Sequence, residues 1–133
     1  IYVRQDIDPK NPLRNDLLTI GGYDAFYNMA THGNFVSGEV SYKIPGDIGP
    51  FTAVPYLGYS AYFKDRAEFR TTERYIVCAA WTLKVDPGPV IYTEGVFGRN
   101  DPYIGAGQFV NGLAMGGDNK WKAAFIVNLG YYF

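Results

Sequence analysis

The last fourteen residues, KWKAAFIVNLGYYF, alternate with a period of two. In steps of two from Trp121, one side of an extended chain carries Trp121, Ala123, Phe125, Val127, Leu129, Tyr131 and Phe133. The other carries Lys122, Ala124, Ile126, Asn128, Gly130 and Tyr132. Period two is the signature of a strand, because successive side chains leave a pleated backbone on opposite sides. A strand face that is apolar from end to end has to be covered by something other than water.

Four more segments show the same alternation. In 34–44 Val36, Gly38, Val40, Tyr42 and Ile44 oppose Phe35, Ser37, Glu39, Ser41 and Lys43. In 51–64 Phe51, Ala53, Pro55, Leu57, Tyr59, Ala61 and Phe63 oppose Thr52, Tyr56, Ser60, Tyr62 and Lys64, with Pro55 removing a ladder donor. In 73–85 Tyr75, Val77, Ala79, Trp81, Leu83 and Val85 oppose Arg74, Cys78, Thr82 and Lys84. In 90–99 Ile91, Thr93, Gly95 and Phe97 oppose Val90, Tyr92, Glu94, Val96 and Gly98, where only Glu94 marks the polar side. No residue named on the apolar faces is charged, and the charges sit with Ser, Thr and Gly. A soluble sandwich or lipocalin-like binding barrel also alternates, but its outward side is the polar one.

Composition narrows the field. The 133 residues are 47% hydrophobic and 17% aromatic, which excludes a disordered tail. A net charge of -1 provides no field that would recruit nucleic acid, so no nucleic-acid partner is expected. The single cysteine, Cys78, forms no internal disulfide and no thiolate metal site. No run of about 18 apolar residues exists, which excludes a spanning helix and leaves a spanning strand open. The chain begins at Ile1, which fits a removed leader or a piece of a longer polypeptide.

The connections alternate short and long. PGDIGP (45–50) and DPGP (86–89) are tight Pro/Gly turns, whereas 65–73 and 100–119 are longer and richer in polar residues or glycine. Short periplasmic turns, long external loops and strands of about 9–11 residues or more describe a transmembrane β-barrel, with the C-terminus on the periplasmic side. Tyr42, Phe51, Phe63, Tyr75, Trp81, Phe97, Trp121, Tyr131 and Phe133 lie toward strand ends, as interfacial aromatic girdles do. The expected fold is therefore all-β, an antiparallel transmembrane barrel. Residues 1–133 form a single portion with five strands (34–44, 51–64, 73–85, 90–99, 120–133) and up to two more within 1–29. IYVRQDI reads as a strand or the end of one, 8–16 as a turn or loop, and 17–29 as a strand interrupted by Gly21 and Gly22. Seven strands do not close in lipid, so a longer barrel or strands from other chains are expected to complete the wall.

The stretch GRNDPYIGAGQFVNGLAMGGDNKWKAAFIVNLGYYF resembles the C-terminal end of Gram-negative outer-membrane porins of the phosphate-selective and carbohydrate-type group. Its glycine/Asn/Asp-rich loop, the GGDN before a tryptophan and the closing NLGYYF carry the likeness, and RNDLLTIGGYDAFYN is similar too. The resemblance implies a barrel of about sixteen strands, commonly a homotrimer, of which this chain supplies less than half. It also implies that Phe125, Val127, Leu129, Tyr131 and Phe133 form the signal read by the barrel-assembly machinery. The function implied is a water-filled channel in the bacterial outer membrane, in contact with lipid, passing small hydrophilic solutes without cofactor, metal or catalytic residue.

For such a channel the inward side chains set selectivity. They are Glu39, Lys43, Lys64, Arg74, Lys84, Glu94 and Lys122, whose five cations against two anions predict a weak anion preference. Arg74 and Glu94 are the best placed to touch solute, while the lysines near strand ends equally suit a wetted rim. No ladder of arginines is present, which argues against phosphate specificity. Asp101, Asn111, Asp118 and Asn119 in loop 100–119 match no calcium-loop spacing, and DIDPKN around Asp6 and Asp8 is no stronger. GAGQFVNG is followed by no helix, so it is not a dinucleotide fingerprint. The enzymatic alternative, an outer-membrane barrel hydrolase, would need the single histidine, His32 in ATHGN, to find a nucleophile and a carboxylate.

Overall fold

The computed structural model describes residues 1–10, 12, 14–22, 25–104 and 116–131, and among these the chain is all-β with no helix. Eight strands follow in order: β1 (Tyr2–Asp6), β2 (Leu17–Gly22), β3 (Ala25–Ala30), β4 (His32–Ser41), β5 (Phe51–Lys64), β6 (Thr72–Leu83), β7 (Val90–Arg99) and β8 (Trp121–Gly130). Six form one antiparallel sheet in the order β1-β4-β5-β6-β7-β8, and β2 and β3 form a separate hairpin. Consecutive neighbours from β4 to β8 are what short turns and period-two sequences dictate. The outer edges of β1 and β8 pair with no described strand, so the sheet is open among the described residues.

The ranges 51–64 and 90–99 coincide with β5 and β7. The segment expected at 34–44 forms a strand only to Ser41, although Tyr42 N and Ile44 N still bond Pro55 O and Ala53 O at 3.0 and 3.1 Å. Pro55 accounts for the early end. The antiparallel ladder pairs it with Ala79 on one side, and its missing N–H falls on the other, opposite Tyr42, where the regular pairing has stopped. The segment expected at 73–85 ends at Leu83: Lys84 N still bonds Pro50 O at 2.9 Å, but Val85 N turns back onto Leu83 O at 2.9 Å. The terminal strand ends at Gly130; Tyr132 and Phe133 lie outside the described residues.

The first third holds three strands rather than at most two. Where a single interrupted strand was expected over 17–29, β2 and β3 pair with Leu17 opposite Ala30 and Gly22 opposite Ala25. The glycines expected to interrupt that strand mark the approach to a reversal.

All long connections collect at one end of the sheet. They are the segment containing the β2–β3 hairpin, 65–71 and 100–120, while 42–50 and 84–89 close the other end. At the short-turn end Gly46 and Gly49 take φ of 82° and 60°, the left-handed region that only glycine occupies without strain.

Candidate functional site

The two faces of the sheet differ as the alternation predicts, and register makes the difference continuous across strands. One row runs Val40, Leu57, Val77, Gly95, Phe125, another Pro55, Ala79, Thr93, Val127, and a third Ala53, Trp81, Ile91, Leu129. Val40, Leu57, Val77 and Phe125 are 65%, 50%, 54% and 73% exposed, so the apolar face is the open one. The apolar side chains that are buried are few and mostly small, and the largest fully buried side chain among the described residues is Thr31. Polar atoms on this face are satisfied within it, since Trp81 Nε1 donates to Thr93 Oγ1 at 3.0 Å and Thr93 Oγ1 to Ala79 O at 3.4 Å.

Aromatic rings bracket the apolar rows. Tyr59, Tyr75 and Trp121 stack in series toward the loop end, with ring centroids 4.7 and 5.4 Å apart. Tyr42 and Tyr131 are exposed at the turn end. Trp121 and Tyr131 are ten residues apart, about 33 Å of strand, or about 25 Å of height at the tilt usual in barrels.

The opposite face carries the predicted polar residues, and the structure joins some of them. The row Ser37, Ser60, Arg74, Gly98, Lys122 crosses it near the loop end. A Cβ on Gly98 would stand 2.8 Å from Asp101 Cβ and 2.9 Å from Ile104 Cγ1. Its absence lets the chain after β7 fold back against the sheet and bury Asp101 and Ile104. Asp101 then grips Arg74 through both oxygens, Nε at 2.6 Å and Nη2 at 2.8 Å, and accepts Tyr103 N at 2.9 Å. The Arg74 guanidinium lies 5.5 Å from the Tyr103 ring centroid. Asn100, also buried, closes the loop: Nδ2 donates to Thr71 O and Asn119 Oδ1, while Oδ1 accepts Gly117 N and Asn119 N. Its φ of 52° suits asparagine better than most side chains. Asp101 and Asn119, expected in a solvated loop, are thus partners in its closure; Asn111 lies outside the described residues.

The base of the β2–β3 hairpin is pinned over the same face. Ala30 O accepts Gln5 Nε2 at 2.8 Å and Tyr62 OH at 2.9 Å. The Tyr62 ring can lie across β4 only because residue 33 is glycine, whose Cβ would meet Cε2 at 2.7 Å. Outside the sheet Arg14 and Arg66 bind Asp16 at 2.6 and 3.4 Å, and from β1 Arg4 forks onto Asp65 in the loop after β5 at 2.8 and 2.7 Å. The Arg14 and Arg4 hydrogen bonds hold the Asp16 and Asp65 carboxyls below the usual carboxylate range. Between hairpin and sheet is a recess of about 460 Å³ whose lining includes Met29, Phe35, Tyr62, Lys64, Arg74 and Tyr103. A second, of about 450 Å³, is lined by Ser37, Glu39, Ser60, Arg74 and Ile76.

The remaining predicted residues are dispersed. Glu94 accepts Tyr56 OH at 2.9 Å beside the buried Cys78, one row from Glu39 and three strands away. Lys122 reaches Asp118 at 3.4 Å, Lys84 reaches Asp47 at 2.5 Å, and Lys43 is exposed beyond β4. Phe125, Val127, Leu129 and Tyr131 all point outward. His32 does find partners, with Nε2 at 3.0 Å from Asp6 and Nδ1 at 2.7 Å from Thr31 Oγ1. That trio differs from a hydrolytic triad, because the Thr31 hydroxyl gives its proton to Asn15 O at 2.7 Å and is wholly buried. Among the described residues no His/Cys/Asp/Glu cluster is arranged to hold a metal.

One pair escapes the parity analysis. Glu73 and Arg99 have the parity of the apolar face and sit opposite each other at its loop-side end. They form an ion pair; Glu73 also accepts Tyr59 OH, and the Arg99 guanidinium lies 5.2 Å from the Trp121 ring centroid. The signal was available, because two opposite charges close two neighbouring strands at the same depth.

Compared with family models, with curated proteins and with solved structures, the chain matches none.

Proposed function

We propose that this chain is part of the wall of a Gram-negative outer-membrane porin, with its open apolar face against lipid and its polar face lining a water-filled channel for small hydrophilic solutes. The supporting observation is the inverted distribution of side chains: Val40, Leu57, Val77, Phe125 and Leu129 are exposed, and among the described residues the buried apolar side chains larger than alanine or cysteine are Phe69, Val96 and Ile104 alone. Five strands about 4.8 Å apart and about 33 Å long present about 800 Å² of apolar face, more than the 300–600 Å² that soluble monomers tolerate. The face height fits the apolar band of about 25 Å in such barrels. The Glu73–Arg99 pair beside Trp121 then lies at headgroup depth, where charge is tolerated.

Closure requires strands beyond β1 and β8, in a barrel of about sixteen strands assembled as a trimer. The long connections face outward, the C-terminus faces the periplasm, and the β8 aromatics serve the assembly machinery. Anion preference is weaker than the charge count predicts, since Arg74, Lys84 and Lys122 each have a carboxylate partner.

Reconstitution into planar bilayers tests the proposal. Stepwise conductance with a small anion preference at low salt is expected. Extraction without detergent as a monodisperse soluble protein would refute it. Ester hydrolysis lost on His32→Ala would favour the enzymatic alternative.

A further inference from the structure

The recess between the β2–β3 hairpin and the polar face has a chemistry that neither bulk solvent nor a wetted wall requires. Its walls are mostly apolar, with Val3, Met29, Phe35, Tyr62 and Tyr103 contributing. Two cations, Lys64 and Arg74, and two carboxylates, Glu73 and Asp101, line it; Arg99 pairs with Glu73 and Arg74 with Asp101, so Lys64 adds positive charge beyond these two ion pairs. Most of the neutral polar groups around it are already engaged: Gln5 and Tyr62 on Ala30 O, Thr72 on Asn100 O, and Asn28 Oδ1 with Thr19 Oγ1. A polyhydroxylated solute would leave its hydroxyls poorly matched there, and a small, fully hydrated anion would lose water against apolar walls. An anion with a flat apolar body loses neither.

We propose that this recess binds small organic anions with a planar apolar body, of the size of benzoate, the carboxylate meeting Lys64 and the ring lying among Phe35, Met29 and Tyr103. The volume of about 460 Å³ lies in the range of small-molecule sites. An ammonium carries three donors, so Lys64 can serve the ligand and a protein acceptor together. Arg74, stacked near Tyr103 and held by Asp101, adds positive potential without giving up its fork. The site's role in permeation rests on the porin reading, in which the recess sits at the channel's outer mouth.

Titration of the detergent-solubilised chain with benzoate, benzyl alcohol, acetate and inorganic phosphate, followed by ligand-observed NMR, tests the inference. Benzoate is expected to bind at least tenfold more tightly than acetate or phosphate. Lys64→Gln should weaken it about tenfold and leave benzyl alcohol unchanged, Lys64→Arg should restore most of the loss, and Met29→Asp should abolish benzoate binding. Phosphate competing as well as benzoate, or benzoate binding indifferent to Lys64→Gln in a variant that retains the wild-type strand content, would overturn it. Binding needs no pore: Lys64-dependent binding without conductance would overturn the channel and support the site, and conductance without such binding would overturn the site alone.

Discussion

Asn100 concentrates more of the loop-end architecture than any other single side chain. It makes four hydrogen bonds, three of them to backbone groups of Thr71, Gly117 and Asn119, from a left-handed backbone conformation. Asn100→Ala leaves buried backbone groups unpaired and strains the turn, a loss of about 2–3 kcal/mol in denaturant unfolding, with faster amide exchange at Gly117 and Asn119. The Arg4–Asp65 fork makes a different claim. Asp65 titrates below its unfolded value because Arg4 hydrogen-bonds the charged form. Its contribution is therefore fully present above the unfolded carboxylate value of about 4 and is lost as pH falls below it. A double-mutant cycle of Arg4→Ala and Asp65→Ala should show coupling at pH 7 that shrinks progressively as pH is lowered below about 4.

At the scale of elements, β5 and β7 were readable to the residue, because long period-two runs bounded by Pro/Gly turns leave little freedom in register. The hairpin β2–β3 was not. Its strands have only six residues each, too short for alternation to stand out, and what holds its base down is non-local: the hydroxyl of Tyr62 and the amide of Gln5. The candidate site divides the same way. Arg74 and Lys64 were visible as charges on a polar face, but the bidentate partner Asp101 was not, since it lies 27 residues away and is reached through the missing Cβ of Gly98. The face of Glu73 and Arg99 is not legible in the sequence of either strand alone, because an end position says little about face until its neighbour is known.

At the scale of the whole molecule the two faces make opposite demands on substitution. Leu57→Arg, in the middle of the apolar face, should cost about 2–4 kcal/mol of membrane stability, while Glu39→Lys on the other face should leave stability within about 0.5 kcal/mol and shift conductance toward anions. Equilibrium folding into liposomes of the two variants checks both. Equal destabilisation by the two would mean that the faces share one environment.

The gathering of every long connection at one end also bears on how the sheet enters a bilayer. Dragging the segment from Ile7 to Thr31, with Lys10, Arg14 and three aspartates, through hydrocarbon is far costlier than passing two tight turns, so the turns should lead and every molecule should arrive with one orientation. Trypsin added outside sealed vesicles would then cut after Lys10, Arg66 or Arg70 and spare Lys43 and Lys84 until the vesicles are opened. The route of entry would thus be recorded in which lysines a protease can reach.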